Sequence, residues 1–287
     1  MALYIVASTV PTPEPVECLY QVRHYRIYQD RRVVLMANEV RKCFGPRKGY
    51  TWYLFDYSQM EMVYFCLLAG AWEMVDAYMK GADVHTEMTR RVLGKKAFGK
   101  DGKVIKNKRD EIKHLNFAVL YGMGIAAVAE KLRVNITKAD EVMSMYLGKI
   151  PEIITFRNQC NKLVYSQGYV DCMFGKRYSA DRTNAYKMVN KRIQGGCAQI
   201  LKIAILQILD LMGTAACFGV KIVLPIHDEL IFERRNANPV HEDVFITAVK
   251  KAMENIPDLL KLGLKLRVDV SKTSTNWGEK EKICLED

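Results

Sequence analysis

The chain has 287 residues, 49% of them hydrophobic and 26% charged, which is the balance of a globular protein rather than a disordered one. An excess of 43 Lys and Arg over 32 Asp and Glu gives a formal charge of +11, which favours a polyanionic partner such as nucleic acid. The eight cysteines include no C-x-x-C pair, which argues against a structural zinc site and for free thiols in a reducing compartment. No apolar run approaches the ~20 residues of a membrane span.

The first half of the chain contains one clear strand and two helical patterns. Residues 11–15, PTPEP, interrupt the N-terminal segment before a mixed polar stretch. The aromatic run at 50–56, YTWYLFD, predicts a buried strand, and the apolar spacing over 59–79 predicts a helix. A loop rich in Lys and Gly at 94–108 leads into a second helix that begins near Arg109.

The second half mixes helices and strands without regular alternation. The apolar periodicity predicts helices over residues 137–167, 183–213 and 240–255. Short apolar runs predict strands over residues 219–226, 229–234 and 263–271. Because the pattern is not a series of βαβ units, we expect an α+β fold with an antiparallel sheet.

Two aspartates end apolar strand-like runs. Asp56 closes the first run, and Asp228 lies at the turn between the runs 219–226 and 229–234. Each alone is typical of a turn or capping carboxylate. Together on one sheet they could hold two Mg²⁺ ions ~3.5–4 Å apart, since Mg²⁺ takes carboxylate, water and phosphate oxygens. The pair therefore predicts metal-dependent phosphoryl transfer without specifying which reaction.

A stripe of four side chains recurs every four residues in the helix that begins near Arg109. Arg109 and Lys113 precede Phe117 and Tyr121, and this spacing places all four on one helical face about 18 Å long. Such a face could run along a nucleoside triphosphate, with phosphates at the cations and the sugar and base at the aromatic rings. An amphipathic helix with two long cationic side chains and a core aromatic pair gives the same pattern.

Three segments resemble, in order and rough spacing, the motifs of the family A (DNA polymerase I-like) DNA polymerases. The segment 56-DYSQMEM-62 resembles motif A, 109-RDEIKHLNFAVLYG-122 resembles motif B and 226-IHDEL-230 resembles motif C. Three linked motifs are a far stronger signal than any one of them. The intervening segments 83-DVHTEMTRRVLG-94, 168-GYVDCMFGKRY-178 and 190-NKRIQGGCAQILK-202 also resemble the family. The resemblance runs from about Val40 to Trp277, more than four fifths of the chain.

The resemblance implies a right-hand polymerase with an antiparallel palm sheet and a helical fingers domain. The implied divisions are an N-terminal extension at 1–49, palm at 50–80 with motif A, fingers at 81–199 with the motif B helix at 109–122, and palm at 200–287 with the motif C hairpin at 219–234. The implied ligands are primer–template DNA, dNTPs and two Mg²⁺ ions in a bacterial or phage-infected cytoplasm. The expected reaction is DNA-templated transfer of a nucleotide to a primer 3′-OH.

The resemblance also implies roles for the charged motif residues. Asp56 and Asp228 would bind the two Mg²⁺ ions, one of which activates the 3′-OH while the other binds the triphosphate. Arg109 and Lys113 would bind phosphates, and Lys113 would protonate the leaving pyrophosphate. His227, Asp228 and Glu229 would form the tight turn that meets the primer 3′ end.

Further residues are assigned by the same resemblance to the nucleotide and the duplex. Glu61 would be a steric gate that excludes a 2′-OH and so selects dNTPs. The other implied nucleotide contacts are the sugar for Phe117, the templating base pair for Tyr121, the triphosphate for His85 and the active-site backbone for Gln59. The primer–template minor groove would be followed by Asn190 and Gln194.

The chain departs from the family before motif A and again just before motif C. Only about 50 residues precede Asp56, with no T-G-R-L-S-like stretch, so thumb and exonuclease domains are expected to be absent. We therefore expect a second protein chain to supply those functions, docking on residues 1–49, where 2–10 is a candidate docking strand. Pro225 lies before the His-Asp pair and predicts a sheet edge or a bulge, since proline has no N–H for the ladder.

Three alternative functions remain open on the sequence. A single-subunit RNA polymerase shares the fold group, but Glu61 and the Asp-Tyr-Ser-Gln context argue against it. A metal-dependent phosphohydrolase would need further His ligands, and the five histidines show no ligand spacing. A non-catalytic or weakly active DNA-binding subunit would leave the joint presence of Asp56, Lys113 and Asp228 unexplained.

Overall fold

A five-stranded antiparallel sheet lies at the centre of the fold. The structure is a computed structural model that describes residues 39–217 and 219–284. The sheet order is β4-β5-β1-β6-β7. Its strands are β1 (Tyr50–Tyr57), β4 (Val220–Ile226), β5 (Glu229–Arg235), β6 (Val268–Thr273) and β7 (Glu281–Ile283). A separate two-stranded ribbon pairs β2 (Tyr169–Asp171) with β3 (Arg177–Ser179). The predictions of an α+β fold and of an antiparallel sheet are confirmed.

Helices cover one face of this sheet and form the middle of the chain. The helices before the ribbon are α1 (Met60–Ala69), α2 (Trp72–Met79), α3 (Val84–Leu93), α4 (Lys106–Leu120), α5 (Ile125–Leu132), α6 (Ile136–Lys149) and α7 (Pro151–Gln167). After it come α8 (Met188–Met212), α9 (Glu242–Glu254) and α10 (Pro257–Lys261). Short 3₁₀ turns lie at Gly94–Ala97, Ala185–Lys187 and Ala215–Cys217.

The core forms because β1 alternates its side chains between the two faces of the sheet. Tyr53 and Phe55 point to the helical face, where their rings meet the buried Phe245 edge-on at centroid distances of 5.2 and 5.8 Å. Trp52 and Leu54 point to the other face and form a smaller buried cluster with Ile231. β1 is thus buried on both sides, which fixes the position of its last residues.

Two predicted helices are each divided in the structure. The helix expected over 59–79 ends at Gly70, whose φ of 75° is left-handed and whose N–H caps α1, and the chain restarts as α2. The helix expected over 137–167 is broken before Pro151, because proline opens α7 and disfavours helical backbone at the residue before it. Both predictions were wrong on continuity and right on helical content.

The final strand was predicted to begin too early. Residues 263–267 lie outside the ladder, and β6 begins at Val268, where pairing with β1 starts. The short helix α10 and the edge strand β7 carry no periodic signal strong enough to predict, since each has five residues or fewer.

Pro225 lies where its missing N–H can be tolerated. β4 is an edge of the sheet in the described residues, and its register with β5 shifts between Ile222 and Leu224. The prediction of an edge or a bulge is confirmed in both respects. Pairing resumes at Leu224 opposite Ile231 and continues through Pro225 to the turn that carries Asp228.

One helical segment among the described residues is long and apolar enough, by length and composition alone, to cross a membrane. It spans Ala185–Met212 with a mean hydropathy of 1.4. In the structure it packs against α1 and α9 and buries Ile193, Ile200 and Ile208. This is how a core helix packs, and core helices pass the same test of length and composition.

The N-terminal extension is described only from residue 39. Residues 44–49 contact the rest of the fold: Arg47 pairs with Glu233 of β5, and the Trp277 N–H, between β6 and β7, donates to the Phe44 carbonyl at 2.8 Å. The proline-rich segment at 11–15 and the candidate docking strand at 2–10 lie outside the described residues. All seven cysteines in the described part of the chain are free thiols, as predicted.

Candidate active site

Strand pairing brings the two predicted aspartates to the same end of the sheet. Asp56 lies opposite Glu229 in β5 and opposite Asp269 in β6. The Tyr57 N–H donates to the carbonyl of Asp228 at 3.2 Å, which holds the β4–β5 turn beside the end of β1. His227 forms that turn with a left-handed φ of 53°, unusual for a residue with a side chain. Four carboxylates therefore gather where β1, β5 and β6 meet.

Two of these four carboxylates, Glu229 and Asp269, are each paired with a lysine. Glu229 accepts hydrogen bonds from Lys280 at 2.7 Å and from the Trp277 indole at 3.3 Å. Asp269 is paired with Lys282 at 2.7 Å. Neutralisation of this outer pair leaves Asp56 and Asp228 as the acids with excess negative charge.

The pKa values of the central acids are raised above the ordinary range. Burial, together with the negative charges of Asp228 and Glu229, raises the pKa of Asp56 to about 6. Burial also raises the pKa of Asp228. Each acid would ionise more readily if a cation lay between them.

The donor set suits magnesium. Among the described residues no group of three or more His, Cys, Asp and Glu side chains is arranged to hold a metal ion. A cation at Asp56 and Asp228 would therefore complete its shell with water and substrate oxygens, which is how Mg²⁺ is usually bound. The two half-buried carboxylates fit the implied ions on these grounds.

The α4 stripe lies on one face, as the spacing predicted. Phe117 and Tyr121 stack with their ring planes 10° apart and their centroids 5.9 Å apart. The Lys113 ammonium lies 5.9 Å from the Phe117 ring, and the His85 ring lies 5.6 Å from it on another side. The motif B helix expected over 109–122 begins earlier, at Lys106, and ends at Leu120, so Tyr121 is its C-cap.

Arg109 is engaged by an acid that the sequence reading did not single out. Its Nε and Nη2 atoms donate to the two carboxylate oxygens of Asp83 at 3.0 and 2.8 Å. Burial alone would raise the pKa of Asp83, but the hydrogen bonds from Arg109 and Thr86 outweigh it and lower that pKa to about 2. A phosphate at Arg109 would compete with this carboxylate.

Asp83 also connects motif A to α4. The Gln59 amide donates to the Asp83 carboxylate at 2.6 Å and accepts from the Val84 N–H at 2.9 Å. These two bonds hold Gln59 at a left-handed φ of 56° at the junction of β1 and α1. Gln59 thus lies three residues after Asp56 at the start of α1, and its position depends on Asp83.

A chain of three buried groups fixes the orientation of His85. The Tyr146 hydroxyl donates to Asn116 Oδ1 at 2.5 Å, so the Asn116 amide nitrogen faces His85 Nδ1 at 2.8 Å. Because an amide nitrogen only donates, Nδ1 accepts and the proton of the neutral ring lies on Nε2. Burial, together with the positive charges of Lys113 and Arg109, lowers the pKa of His85 to about 4. His85 is therefore held as a neutral, oriented donor.

Glu61 meets the end of the α4 stripe. The Tyr121 hydroxyl donates to Glu61 Oε2 at 3.0 Å, while Oε1 is buried and has no partner among the described residues. Burial raises the pKa of Glu61, and the Tyr121 and Gln194 side chains lower it. An oriented carboxylate with one unsatisfied oxygen thus lies close to Asp228.

The predicted duplex contacts lie on α8. Gln194 lies beside Glu61 and Tyr121, and Asn190 lies one turn earlier with its Oδ1 buried and unpartnered in the described part of the chain. Gly196 follows, and a Cβ there would lie 2.3 Å from the Tyr64 ring of α1. This close approach of α8 and α1 brings Gln194 to the acid site.

The residues that sequence reasoning missed are supporting ones. Asp83 binds Arg109, Lys280 neutralises Glu229, Asn116 orients His85 and Tyr146 orients Asn116, while Asp269 lies opposite Asp56 in the sheet. Asp83 carried the only local signal, since an Asp three residues before a Thr at a helix start indicates an N-cap. The partners that tie Asp83, Asn116, Tyr146 and Lys280 to the site are 24 or more residues away, so no local pattern could have identified these contacts.

The chain matches a known protein family over most of its length. Residues 32–279 match the family described as DNA polymerase family A. DNA polymerase I of Lactococcus lactis subsp. lactis (strain IL1403) is 31% identical over 254 residues, which cover 85% of this chain and 28% of that protein. DNA polymerase I of Deinococcus radiodurans is 30% identical over 253 residues, which cover 84% of this chain and 25% of that protein.

A solved structure shares the fold. The POL domain of Pol1 from M. smegmatis, in complex with DNA primer-template and dNTP, superposes with a TM-score of 0.74 at 22% identity. The match covers 90% of this chain and 44% of that one. The chain thus spans about a quarter of the length of the curated relatives and less than half of this structure.

Proposed function

The chain belongs to DNA polymerase family A, and on that premise we propose that it forms the palm and fingers of a DNA-templated DNA polymerase that adds dNTPs to a primer 3′-OH. The proposed ligands are primer–template DNA and dNTPs. The proposed division assigns the sheet and its helices, 50–80 and 200–287, to the palm and 81–199 to the fingers.

The observation that carries the proposal is the position of two unneutralised aspartates at the sheet end that faces the α4 stripe. Asp56 and Asp228 would hold two Mg²⁺ ions, which when bound would activate the 3′-OH and offset charge on the triphosphate. Glu229 is held away from that task by Lys280 and Trp277, so it supports the turn that carries Asp228. His227 would lie at the primer end of the same turn.

The α4 face would align the nucleotide. Lys113 and Arg109 would bind phosphate oxygens, and Lys113 would donate a proton to the leaving pyrophosphate. The Nε2–H of His85 would donate to the triphosphate without adding a charge, since the ring is neutral. Phe117 would contact the sugar and Tyr121 the templating base pair.

Glu61 would select the sugar. Its carboxylate is fixed by a hydrogen bond from Tyr121, so moving it aside for a 2′-OH would cost that hydrogen bond. Rejection of ribonucleotides then follows from overlap and from burial of a hydroxyl against a charged group. Asn190 and Gln194 would contact the minor groove of the duplex behind the new base pair.

A second polypeptide is part of the proposal. Palm and fingers alone offer few phosphate contacts along the duplex, and polymerase affinity for DNA depends on such contacts. We expect this chain alone to add few nucleotides per encounter, and a partner that supplies thumb and exonuclease functions to restore processivity. Residues 44–49 already contact the fold, so docking would involve the residues before them.

Single-nucleotide primer extension tests the proposal. Asp56→Ala and Asp228→Ala should each abolish incorporation while leaving the free energy of unfolding within about 1 kcal/mol of wild type, because their repulsion is relieved. Asp210→Ala, which removes an exposed acid on α8, is the matched control and should extend normally. Normal extension by either active-site variant would refute the assignment of the two-metal site.

The same assay separates the alternative functions. A non-catalytic DNA-binding subunit would bind primer–template and extend nothing even with the wild-type chain. An RNA polymerase-like enzyme would prefer ribonucleotides. The buried and oriented Glu61 favours the DNA polymerase over the second alternative.

A further inference from the structure

The connection from α3 to α4 is an ordered segment rather than a simple loop. We call residues 94–108 the lysine hairpin. It begins with a 3₁₀ turn and closes through a bridge between Phe98 and Val104. The Gly99 N–H donates to the Lys103 carbonyl at 2.8 Å, and the Ile105 N–H donates to the Ala97 carbonyl at 2.9 Å. Its side chains therefore project from a fixed backbone.

The lysine hairpin concentrates the positive charge of the chain. Its six lysines and one aspartate give a net +5, close to half of the +11 carried by all 287 residues. Five of the lysines are exposed, and none of these pairs with a carboxylate in the described residues: Lys95, Lys96, Lys100, Lys103 and Lys106. The Asp101 carboxylate is engaged locally, since it accepts from the Lys103 N–H at 3.1 Å.

An aromatic side chain lies among these cations. Phe98 is 37% exposed, and the Arg90 guanidinium lies 5.8 Å from the centre of its ring. Lysine ammonium groups are flexible point charges and form no fixed fork for one small anion. A row of cations beside an exposed ring instead matches a strand of phosphates with accessible base faces.

We propose that the lysine hairpin is a binding surface for single-stranded DNA, with its lysines on the phosphates and Phe98 stacked on an unpaired base. The surface lies apart from the acid site: α4 begins at Lys106, and Phe117 follows about 16 Å further along the helix axis. An unpaired strand is required because duplex bases do not expose their faces. The surface does not depend on nucleotide transfer, so it goes beyond the proposed function.

Fluorescence anisotropy with a labelled oligo(dT) strand tests the proposal, using the full chain without dNTP or divalent metal. The triple variant Lys95→Gln/Lys100→Gln/Lys103→Gln should bind about 100-fold more weakly at ~0.1 M salt. The negative slope of log K against log salt should become shallower by about 2. The control removes three exposed lysines elsewhere, Lys80→Gln/Lys162→Gln/Lys251→Gln, and should change both quantities far less.

Phe98→Leu tests the stacking contact separately. Leucine keeps the backbone bridge and the buried side of the residue but offers no ring face, so affinity should fall at least about fivefold with no change in the salt slope. A blunt duplex of the same length should be bound equally by wild type and Phe98→Leu. The two variants therefore separate the phosphate contacts from the base contact.

Two outcomes would overturn the proposal, and a third would uphold it while refuting the proposed polymerase activity. Equal losses in the hairpin and control variants would show that net charge alone attracts the strand. Unchanged strand binding with a raised dNTP KM would show that the hairpin steers nucleotides instead. Reduced strand binding by the hairpin variant in a chain that extends no primer would refute the proposed polymerase activity and leave this surface in place.

Discussion

Because His85 is buried as a neutral imidazole, the free energy of unfolding should decrease as the pH falls. The imidazole is 4% exposed and is held by Asn116, and its pKa is lowered to about 4 from an ordinary 6.5. Because the folded pKa is the lower one, the unfolded chain takes up a proton first as pH falls. The stability that the neutral ring contributes is thus complete above pH 6.5 and is lost progressively as pH falls toward 4.

The size of the effect follows from linkage. A difference of about 2.5 pKa units corresponds to a loss of roughly 0.8 kcal/mol at pH 6, about 2 kcal/mol at pH 5 and about 3 kcal/mol at pH 4. Groups that face His85 contribute to its shift, with Lys113 and Arg109 lowering the pKa and Asp83 raising it. Other acids, including Asp56, titrate in the same range, so the effect must be isolated as a difference between two proteins.

Denaturant unfolding of wild type and His85→Gln at a series of pH values makes that comparison. Gln keeps an acceptor for Asn116 and cannot be protonated, so the free energy difference between the two proteins should shift by about 2 kcal/mol between pH 7.5 and pH 5. His241→Gln removes an exposed imidazole and serves as the control, which should parallel wild type. A constant difference between wild type and His85→Gln would refute the buried, neutral assignment.

Three other changes follow from contacts at the site. Glu61→Ala should raise the ratio of ribonucleotide to deoxyribonucleotide kcat/KM, and an unchanged ratio would place the sugar gate elsewhere. Asp83→Asn keeps the cap of α3 but removes the charge that competes for Arg109. The dNTP KM should therefore fall about fivefold, which corresponds to the ~1 kcal/mol expected for a partly exposed ion pair. A raised KM would show instead that Asp83 positions the guanidinium for phosphate. Gly196→Ala places a Cβ 2.3 Å from the Tyr64 ring and should cost about 1–3 kcal/mol of unfolding free energy. The same substitution should cost less in a Tyr64→Leu background, and additive losses would mean that α8 and α1 adjust independently.

Much of the fold could be predicted because its signals are local. The run 50–56 and the two runs around Asp228 are apolar, short and bounded by turn residues, so strand and hairpin followed from composition alone. The four-residue spacing of Arg109 to Tyr121 correctly placed those side chains on one face. Helix boundaries were less predictable, since Gly70 and Pro151 interrupt patterns that remain periodic on both sides.

The supporting residues of the site could not be predicted, because each acts through a distant partner. Asp83 reads as a helix cap, and nothing near it in sequence indicates that its two oxygens bind Arg109. Asn116 and Tyr146 lie in helical patterns where a buried polar residue looks like an ordinary surface one. The ion pair of Lys280 with Glu229 depends on β7, which has no sequence signal of its own.

The irregular edge strand has a consequence for association between copies of the chain. An exposed and regular strand edge is a template on which another chain can add a strand, and this is a common route to aggregation. In β4 the register shift at Ile222 and Leu224 bends the ladder, and Pro225 removes a donor one residue later. Lys221 adds an exposed charge at the same edge. The strand that delivers Asp228 to the site is therefore also one that resists pairing with a second copy, and a regularised edge would favour self-association at high concentration.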